Sequence, residues 1–361
     1  MRIYSVTKEE SERIDIVKML SIVMVIFAHI YTTTLNFSNA HGSIEMPHWL
    51  FMYETSISEI ISRAGVPMFI MFSSLFFFAK KRKYTAALKD KFRTMFIPYM
   101  FWNTFWAVVW IILQTVPYTQ GFFSGNNAGI LEGNFMDWLG IYGVMTDFPL
   151  DYPLWVLKGL MVMFVVYPPF DYIVEKFPKA SFVSIILIAI IPISFPFKPV
   201  FCWFILGDCI ARLDIHITDV DKLKFPIVAI VYAVEMYFAC TVENSILRNI
   251  SAFLGVLFWT SLSKYIYCMM PRLKSFLLWL LKYLFIIYVF HELTLSSVKK
   301  VCLKIFPLTT VSLFIQYHVI PFFVIGICVL LGMFLNKFTP KFYGIITGGR
   351  VDNVRKIKPQ E

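Results

Sequence analysis

The chain consists of long apolar stretches separated by short polar connections. Ten stretches approach the roughly 20 residues that a helix needs to cross the hydrocarbon core of a bilayer. They are 14–35, 57–79, 95–116, 152–174, 180–197, 199–213, 224–241, 246–269, 275–297 and 309–336. Prolines 192, 196 and 199 interrupt the fifth and sixth. The alternating pattern of a transmembrane β-barrel is absent, so we predict an all-α, polytopic membrane bundle of about ten helices.

Composition agrees with a membrane protein. Hydrophobic residues make up 58% of the chain and charged residues only 16%, which leaves too little polar surface for a soluble protein of this length. Most of the six cysteines fall in apolar stretches, and none forms a Cys-x-x-Cys pair. The sequence therefore predicts neither disulfides nor a metal site.

The distribution of lysine and arginine predicts the orientation. Residues 80–93 are strongly basic, whereas the loops 36–56 and 117–151 contain no lysine or arginine. Positive charge marks cytoplasmic loops, so ten spans place both termini in the cytoplasm, although the basic residues at 299–304 then lie outside. The net charge of +10 is explained by orientation and anionic lipids rather than by nucleic acid. We predict a membrane domain over 1–338, in the cell membrane, and a basic cytoplasmic tail over 339–361.

Several ionisable residues lie within the predicted spans. No charged residue separates Lys18 from His29, and an ionisable side chain inside a membrane helix usually has a function. Counting about 1.5 Å per residue places a group of five at a similar depth in the outer third of the membrane. They are His29, Arg63, Lys158, His291 and Glu292. The pattern favours a polar cavity open to the outside, the alternatives being snorkelling of the long side chains and a buried structural role for His291.

Short motifs in the chain resemble those of the membrane acyltransferase family 3. Lys18 and His29 are similar to its basic-x10-His signature, in which the basic residue is usually arginine. Further similar stretches are 65–69 with 73–74, 97–99 with Trp102, 153–157, 202–207 and 288–291. Ser74 replaces a family glycine, and Lys91 with Arg93 differ in spacing from a family pair of arginines. Many members also carry a C-terminal hydrolase-like domain, and we expect this chain to be a stand-alone form without it.

The resemblance implies transfer of a short acyl group, acetyl, from cytoplasmic acyl-CoA to a hydroxyl of an extracytoplasmic or lipid-linked carbohydrate. In this hypothesis His29 is a general base or a covalent relay. Arg63 or Lys158 stabilises the oxyanion, and His291 orients the acceptor or acts as a second base. The residues expected to bind the sugar are Trp155, Tyr288 and Lys158. Those expected to bind CoA are Lys18, Lys91 and Arg93. The alternative functions are a transporter or flippase of a glycan, which also needs buried charges, and a non-catalytic membrane partner.

Overall fold

The computed structural model describes residues 4–30, 47–80, 83–117 and 133–349, and all regular secondary structure in these ranges is helical. The predicted all-α class is confirmed. In chain order, the described α-helices are α1 Lys8–His29, α2 His48–Thr55, α3 Gly65–Phe78, α4 Tyr84–Lys91, α5 Ile97–Thr115, α6 Phe135–Ile141, α7 Trp155–Lys176, α8 Pro178–Ile190, α9 Lys198–Arg212, α10 Phe225–Thr241, α11 Ser245–Met269, α12 Pro271–Leu280, α13 Leu284–Ile305, α14 Thr310–Phe338 and α15 Pro340–Ile346.

The described residues include six helical segments that are long and apolar enough to cross a membrane. They are His48–Phe78, Tyr84–Thr115, Tyr152–Lys176, Ser245–Met269, Pro271–Ile305 and Thr310–Phe338. The helices Pro178–Ile190 and Phe225–Thr241 are also apolar but shorter. The chain is therefore a multi-pass membrane protein. Each of the ten predicted stretches overlaps a described helix, although residues 191–197 of the fifth are not helical. The total of ten crossings and the cytoplasmic location of the termini stay predictions.

Helix α1 differs in its limits from the predicted span 14–35, whose last five residues lie outside the described ranges. The helix begins at Lys8 because Thr7 and Glu10 form a capping box. The Thr7 hydroxyl accepts the Glu10 amide, and the Glu10 carboxylate accepts the Thr7 amide. The described helix ends at His29, with Ile30 as its C-cap. His29 therefore lies in the final turn and not in the interior of a span.

The structure divides into two compact units. The first comprises Met1–Lys81 with Val166–Leu330, and the second Arg82–Val165 with Leu331–Glu361. Within the second unit, the indole of Trp102 donates a hydrogen bond of 3.0 Å to the Ile346 carbonyl. The first residues of the predicted tail thus form a packed helix, α15. Whether the domain boundary lies at 338 stays a prediction.

Two stretches that resemble family motifs form close helix contacts in the first unit. A Cβ atom added to Gly65 of α3 would lie 2.9 Å from the Ser21 carbonyl oxygen of α1. A Cβ atom added to Gly207 of α9 would lie 2.6 Å from the Met71 carbonyl oxygen and 2.8 Å from the Ser74 side chain. The Ser74 hydroxyl also donates a hydrogen bond to the Phe204 carbonyl at 2.5 Å. These motifs therefore pack α1, α3 and α9 together.

We expect Gly207→Ala to destabilise the protein by about 1–3 kcal/mol, because the added methyl group meets the backbone of α3 and forces the helices apart. Thermal unfolding of the detergent-solubilised protein measures the effect. Gly326→Ala in α14 is the matched control, since its added Cβ has no heavy atom within 4 Å. An unfolding midpoint of Gly207→Ala equal to that of the control would contradict the close packing described here.

Candidate active site

The C-terminal end of α1 is held by side chains from two other parts of the first unit. The Ser58 hydroxyl donates a 2.6 Å hydrogen bond to the Phe27 carbonyl, and the Lys299 ammonium donates a 3.3 Å bond to the Ile30 carbonyl. Carbonyls in the last helical turn have no partner within the helix, so these bonds satisfy two of them. The hydroxyl of the fully buried Tyr317 lies 2.8 Å from the Ser58 hydroxyl and supplies the proton of that contact. The last turn of α1 is thus fixed in position.

Ser58 reaches α1 from an irregular turn in the following helical segment. Between α2 and α3 the backbone forms a π-helical turn over Ser56–Ile61 and a 3-10 turn over Ser62–Ala64. The sequence predicted an uninterrupted span over 57–79, and no residue type in it marks the irregularity. Such π turns are frequent at functional sites because they redirect side chains out of the regular helical pattern.

His29, His291 and Glu292 form one cluster at this end of α1. The His29 Nδ1 atom lies 3.5 Å from Glu292 Oε2, and the two imidazole ring centroids are 5.8 Å apart. The side chains of His29 and Glu292 are each 27% exposed, whereas His291 is fully buried. Three of the five residues that were predicted at a common depth therefore meet in space, which the sequence separation of more than 260 residues does not reveal.

The buried His291 has a defined hydrogen-bonding arrangement. Its Nδ1 atom lies 3.1 Å from the Ile287 carbonyl and 2.9 Å from the Tyr288 carbonyl. Carbonyl oxygens only accept hydrogen bonds, so Nδ1 carries a proton, and in the neutral imidazole Nε2 then carries the lone pair. This Nε2 atom is buried and has no hydrogen-bond partner among the described residues. His291 is therefore suited to accept a proton or a hydroxyl hydrogen bond, and in this tautomer it cannot donate one through Nε2.

Glu292 faces His29 from the helix that also carries Lys299. Its Oε2 atom is buried and makes no hydrogen bond within the described part of the chain. Lys299 lies two turns further along α13, within electrostatic range of both Glu292 and the buried Glu54. The 3.5 Å between Glu292 Oε2 and His29 Nδ1 is an ion-pair distance, at which the carboxylate attracts a positive charge on the imidazole. The role of His29 as a general base stays a prediction.

Among the described residues, the same three side chains form the one group of histidine, cysteine and acidic residues close enough together to be considered as metal ligands. Their potential ligand atoms lie within 4.8 Å of one another. Donors around tetrahedral zinc are about 3.4 Å apart, as follows from bond lengths near 2.1 Å. Binding would need these side chains to move closer together. The absence of a metal cofactor stays a prediction.

The remaining predicted residues of the first unit have separate neighbours. Arg63 is exposed, and its guanidinium lies 3.4 Å from the Asn249 side-chain oxygen of α11. The Tyr288 ring stacks on Phe69 at 6.4 Å, while its carbonyl orients His291. Lys18 lies over the Phe76 ring at 4.3 Å. The structure thus connects Tyr288 to the cluster through its backbone, and the proposed roles of Arg63 and Lys18 stay predictions.

Four predicted residues lie in the second unit. The Lys158 ammonium donates hydrogen bonds to the Gly143 and Thr146 carbonyls at 2.7 and 2.9 Å, so it anchors a loop. The half-buried Trp155 contacts Phe148 edge-on at 6.5 Å. Lys91 lies 4.5 Å from the centre of the Phe164 ring, and Arg93 is exposed. Their assignment to the acceptor or to CoA stays a prediction.

A second polar cluster holds the other end of α1. The fully buried Arg13 forms two hydrogen bonds to Asp221, at 2.7 and 2.8 Å, and a third of 3.2 Å to the Ser263 hydroxyl. Sequence reasoning included Arg13 only as part of a motif and missed Asp221 and Lys299. Lys299 belongs to the basic segment 299–304, which the predicted topology places outside, and that placement stays a prediction. Asp221, in a polar loop, gave no signal.

Two comparisons relate the chain to known proteins. A family model described as an acyltransferase domain matches residues 11–337. The chain is also similar to the succinoglycan biosynthesis protein ExoH of Rhizobium meliloti (strain 1021), with 25% identity over 241 residues. That match covers 63% of this chain and 63% of the relative, so the chain spans somewhat less than two thirds of the relative's length. No solved structure matches the chain.

Proposed function

Because this chain belongs to the acyltransferase family whose model covers residues 11–337, we propose that it transfers an acyl group to a hydroxyl of a polysaccharide or lipid-linked glycan. The name of the relative ExoH, which refers to the biosynthesis of succinoglycan, supports a carbohydrate acceptor. The observation that carries the proposal is the contact between His29 and Glu292 beside the buried His291.

In the proposed reaction His29 acts as general base. With Glu292 facing Nδ1, the Nε2 atom takes the proton from the acceptor hydroxyl, and the carboxylate stabilises the resulting imidazolium. The hydroxyl oxygen attacks the thioester carbonyl, the new C–O bond forms, and the C–S bond breaks. The thiolate then receives the proton from His29. A covalent relay through the imidazole needs the same residue and stays the alternative.

In this proposal His291 binds the acceptor sugar. Its Nε2 lone pair accepts a hydrogen bond from a sugar hydroxyl and so orients the sugar beside His29. A role as second base is also compatible with this tautomer. Stabilisation of the oxyanion needs a cation or a donor, which His291 does not supply through Nε2. Arg63 and Lys158 are the sequence-based candidates, and Lys299 is the cation that the structure adds near Glu292.

We propose acyl-CoA, with acetyl as the acyl group, as the donor from the cytoplasmic side. The 11-residue separation of Lys18 and His29 corresponds to about 16 Å along α1, comparable to an extended pantetheine arm. Lys18 would then lie near the donor's entrance and His29 near its thioester. Lys91 and Arg93, in a basic segment, supply the charge that CoA phosphates require.

Membrane vesicles of inside-out orientation, supplied with acetyl-CoA labelled in the acetyl group, test the function. The proposal predicts label in a carbohydrate fraction, and labelled CoA analogues with longer acyl groups define the donor range. A transporter would instead move the glycan across the membrane without acquiring label. Glycan transport with no transfer of label from any acyl-CoA would contradict the proposal.

We expect Glu292→Gln to lower the rate of acyl transfer by about 100-fold, because the amide removes the charge that stabilises protonated His29. The initial rate of label transfer measures the effect. Glu243→Gln is the control, since Glu243 is an exposed carboxylate in the turn before α11. Wild-type rates in Glu292→Gln would show that this carboxylate does not assist His29.

A further inference from the structure

A cavity of about 310 Å³ lies in the first unit, between the 3-10 turn Ile217–Lys222, the start of α10 and the α11 helix. It is at the end of the structure where Arg13 meets Asp221, and not at the His29 end of α1. Lys224, Lys264 and Ser261 line it together with Asp221, and Phe225 and Ile227 form its apolar part. The cavity therefore joins a polar and an apolar surface.

The polar part of the cavity carries positive charge. Asp221 lines the cavity, but its carboxylate is already paired with Arg13 through two hydrogen bonds. The Lys264 ammonium lies 3.7 Å from Asp221 and is 46% exposed, and Lys224 is exposed as well. Arg13 also pairs with Glu9 at 3.5 Å, so Arg13, Lys224 and Lys264 face the two carboxylates of Glu9 and Asp221. The balance leaves this region with a net positive charge that attracts an anion.

A buried hydroxyl group adds a specific donor to this charge. Ser261 is 3% exposed, and its Oγ atom has no hydrogen-bond partner among the described residues. A buried hydroxyl without a partner is unfavourable, so a group that accepts its hydrogen bond gains binding energy there. Two ammonium groups and a hydroxyl match the oxygens of a phosphate ester.

The apolar part of the cavity continues along α10. Ile227, Ile230, Val231, Val234 and Phe238 are all exposed and follow the spacing of one helical face. In a membrane protein an exposed face of this kind contacts lipid chains. A molecule with a phosphate in the cavity and hydrocarbon chains along this face satisfies both parts.

We propose that this cavity binds the headgroup of an anionic phospholipid. The phosphodiester lies against Lys224, Lys264 and Ser261, and the acyl chains lie along the exposed face of α10. Asp221, which lines the same cavity, holds Arg13 of α1, the helix that carries His29 at its other end. The shared chemistry is a phosphate ester, which phospholipid and CoA both contain.

Native mass spectrometry of the full chain in detergent tests the proposal. Phosphatidylglycerol, phosphatidylcholine, CoA and inorganic phosphate are each added to the wild type, to Lys224→Gln/Lys264→Gln and to Ser261→Ala. We expect phosphatidylglycerol to bind more tightly than phosphatidylcholine. The double variant should bind phosphatidylglycerol about 25-fold more weakly than the wild type, since each lysine contributes a factor of about 5. Ser261→Ala should weaken binding while leaving the charges unchanged.

Lys222→Gln is the matched control. Lys222 is a neighbouring exposed lysine whose ammonium bonds to Asp219 at 2.6 Å and holds the pKa of that carboxyl below its usual value. This variant should keep wild-type lipid affinity. Three outcomes would each overturn the proposal. The two lipids bind equally, the double variant keeps wild-type affinity for phosphatidylglycerol, or CoA or phosphate displaces phosphatidylglycerol at equal concentration. Lys264→Arg, which keeps the charge, should retain binding and shows that any loss is not caused by misfolding.

Discussion

Replacement of His29 by glutamine is expected to lower acyl transfer by about 1,000-fold, because the variant removes the general base while keeping a polar side chain of similar size. The expected loss exceeds that of Glu292→Gln, since the imidazole handles the proton and the carboxylate only assists it. The rate of label transfer from acetyl-CoA in vesicles measures the change. His29 lies in the last turn of α1 with its side chain 27% exposed, so the substitution should leave the packing of the helix intact.

His48→Gln provides the control for this result. His48 is an exposed histidine at the start of α2, and its replacement should keep the wild-type rate and the wild-type amount of protein in the membrane. Equal rates for His29→Gln and His48→Gln, at equal protein amounts, would remove His29 from the mechanism. The same outcome would also exclude the covalent relay.

Arg13→Ala is expected to have the largest effect on stability, about 3 kcal/mol or more, because it leaves Asp221 without its main partner in a largely buried position. The nearby Lys264, at 3.7 Å from Asp221, keeps the loss towards the lower end of the range for buried pairs. Thermal unfolding in detergent measures the effect. Arg13→Lys should lose less, since it keeps the charge but cannot form the two parallel hydrogen bonds.

Arg272→Ala is the control for the Arg13 variants, because Arg272 is an exposed arginine at the start of α12. Its effect on the free energy of unfolding should stay within about 0.5 kcal/mol. Unfolding midpoints for Arg13→Ala that match those of Arg272→Ala would show that the Arg13–Asp221 pair contributes nothing to stability.

The helical fold could be predicted because membrane helices leave a strong local signal. Apolar stretches of about 20 residues mark candidate spans directly, and each of the ten predicted stretches overlaps a described helix. The π-helical turn over Ser56–Ile61 could not be predicted, since it depends on packing of the turn against α1 rather than on residue type. The start of α1 at Lys8 follows from the Thr7–Glu10 capping box, whose residue pattern is present in the sequence.

The candidate site could be predicted only in part. The position of each residue along its helix predicted a common depth for His29, His291 and Glu292. The structure places these three side chains in one cluster. The same argument included Arg63, which instead contacts Asn249, because depth fixes the level of a residue but not the direction in which it points. The Arg13–Asp221 pair joins residues 208 apart in the chain, a distance that no local pattern reports.

A double-mutant cycle of His29 and Glu292 tests the central claim most directly. Rates of label transfer are measured for the wild type, His29→Gln, Glu292→Gln and the variant with both changes. If the two side chains act as one catalytic unit, adding Glu292→Gln to His29→Gln lowers the rate no further. A further loss of about 100-fold in the double variant, equal to that of Glu292→Gln alone, would show that the two residues act independently and would contradict the account.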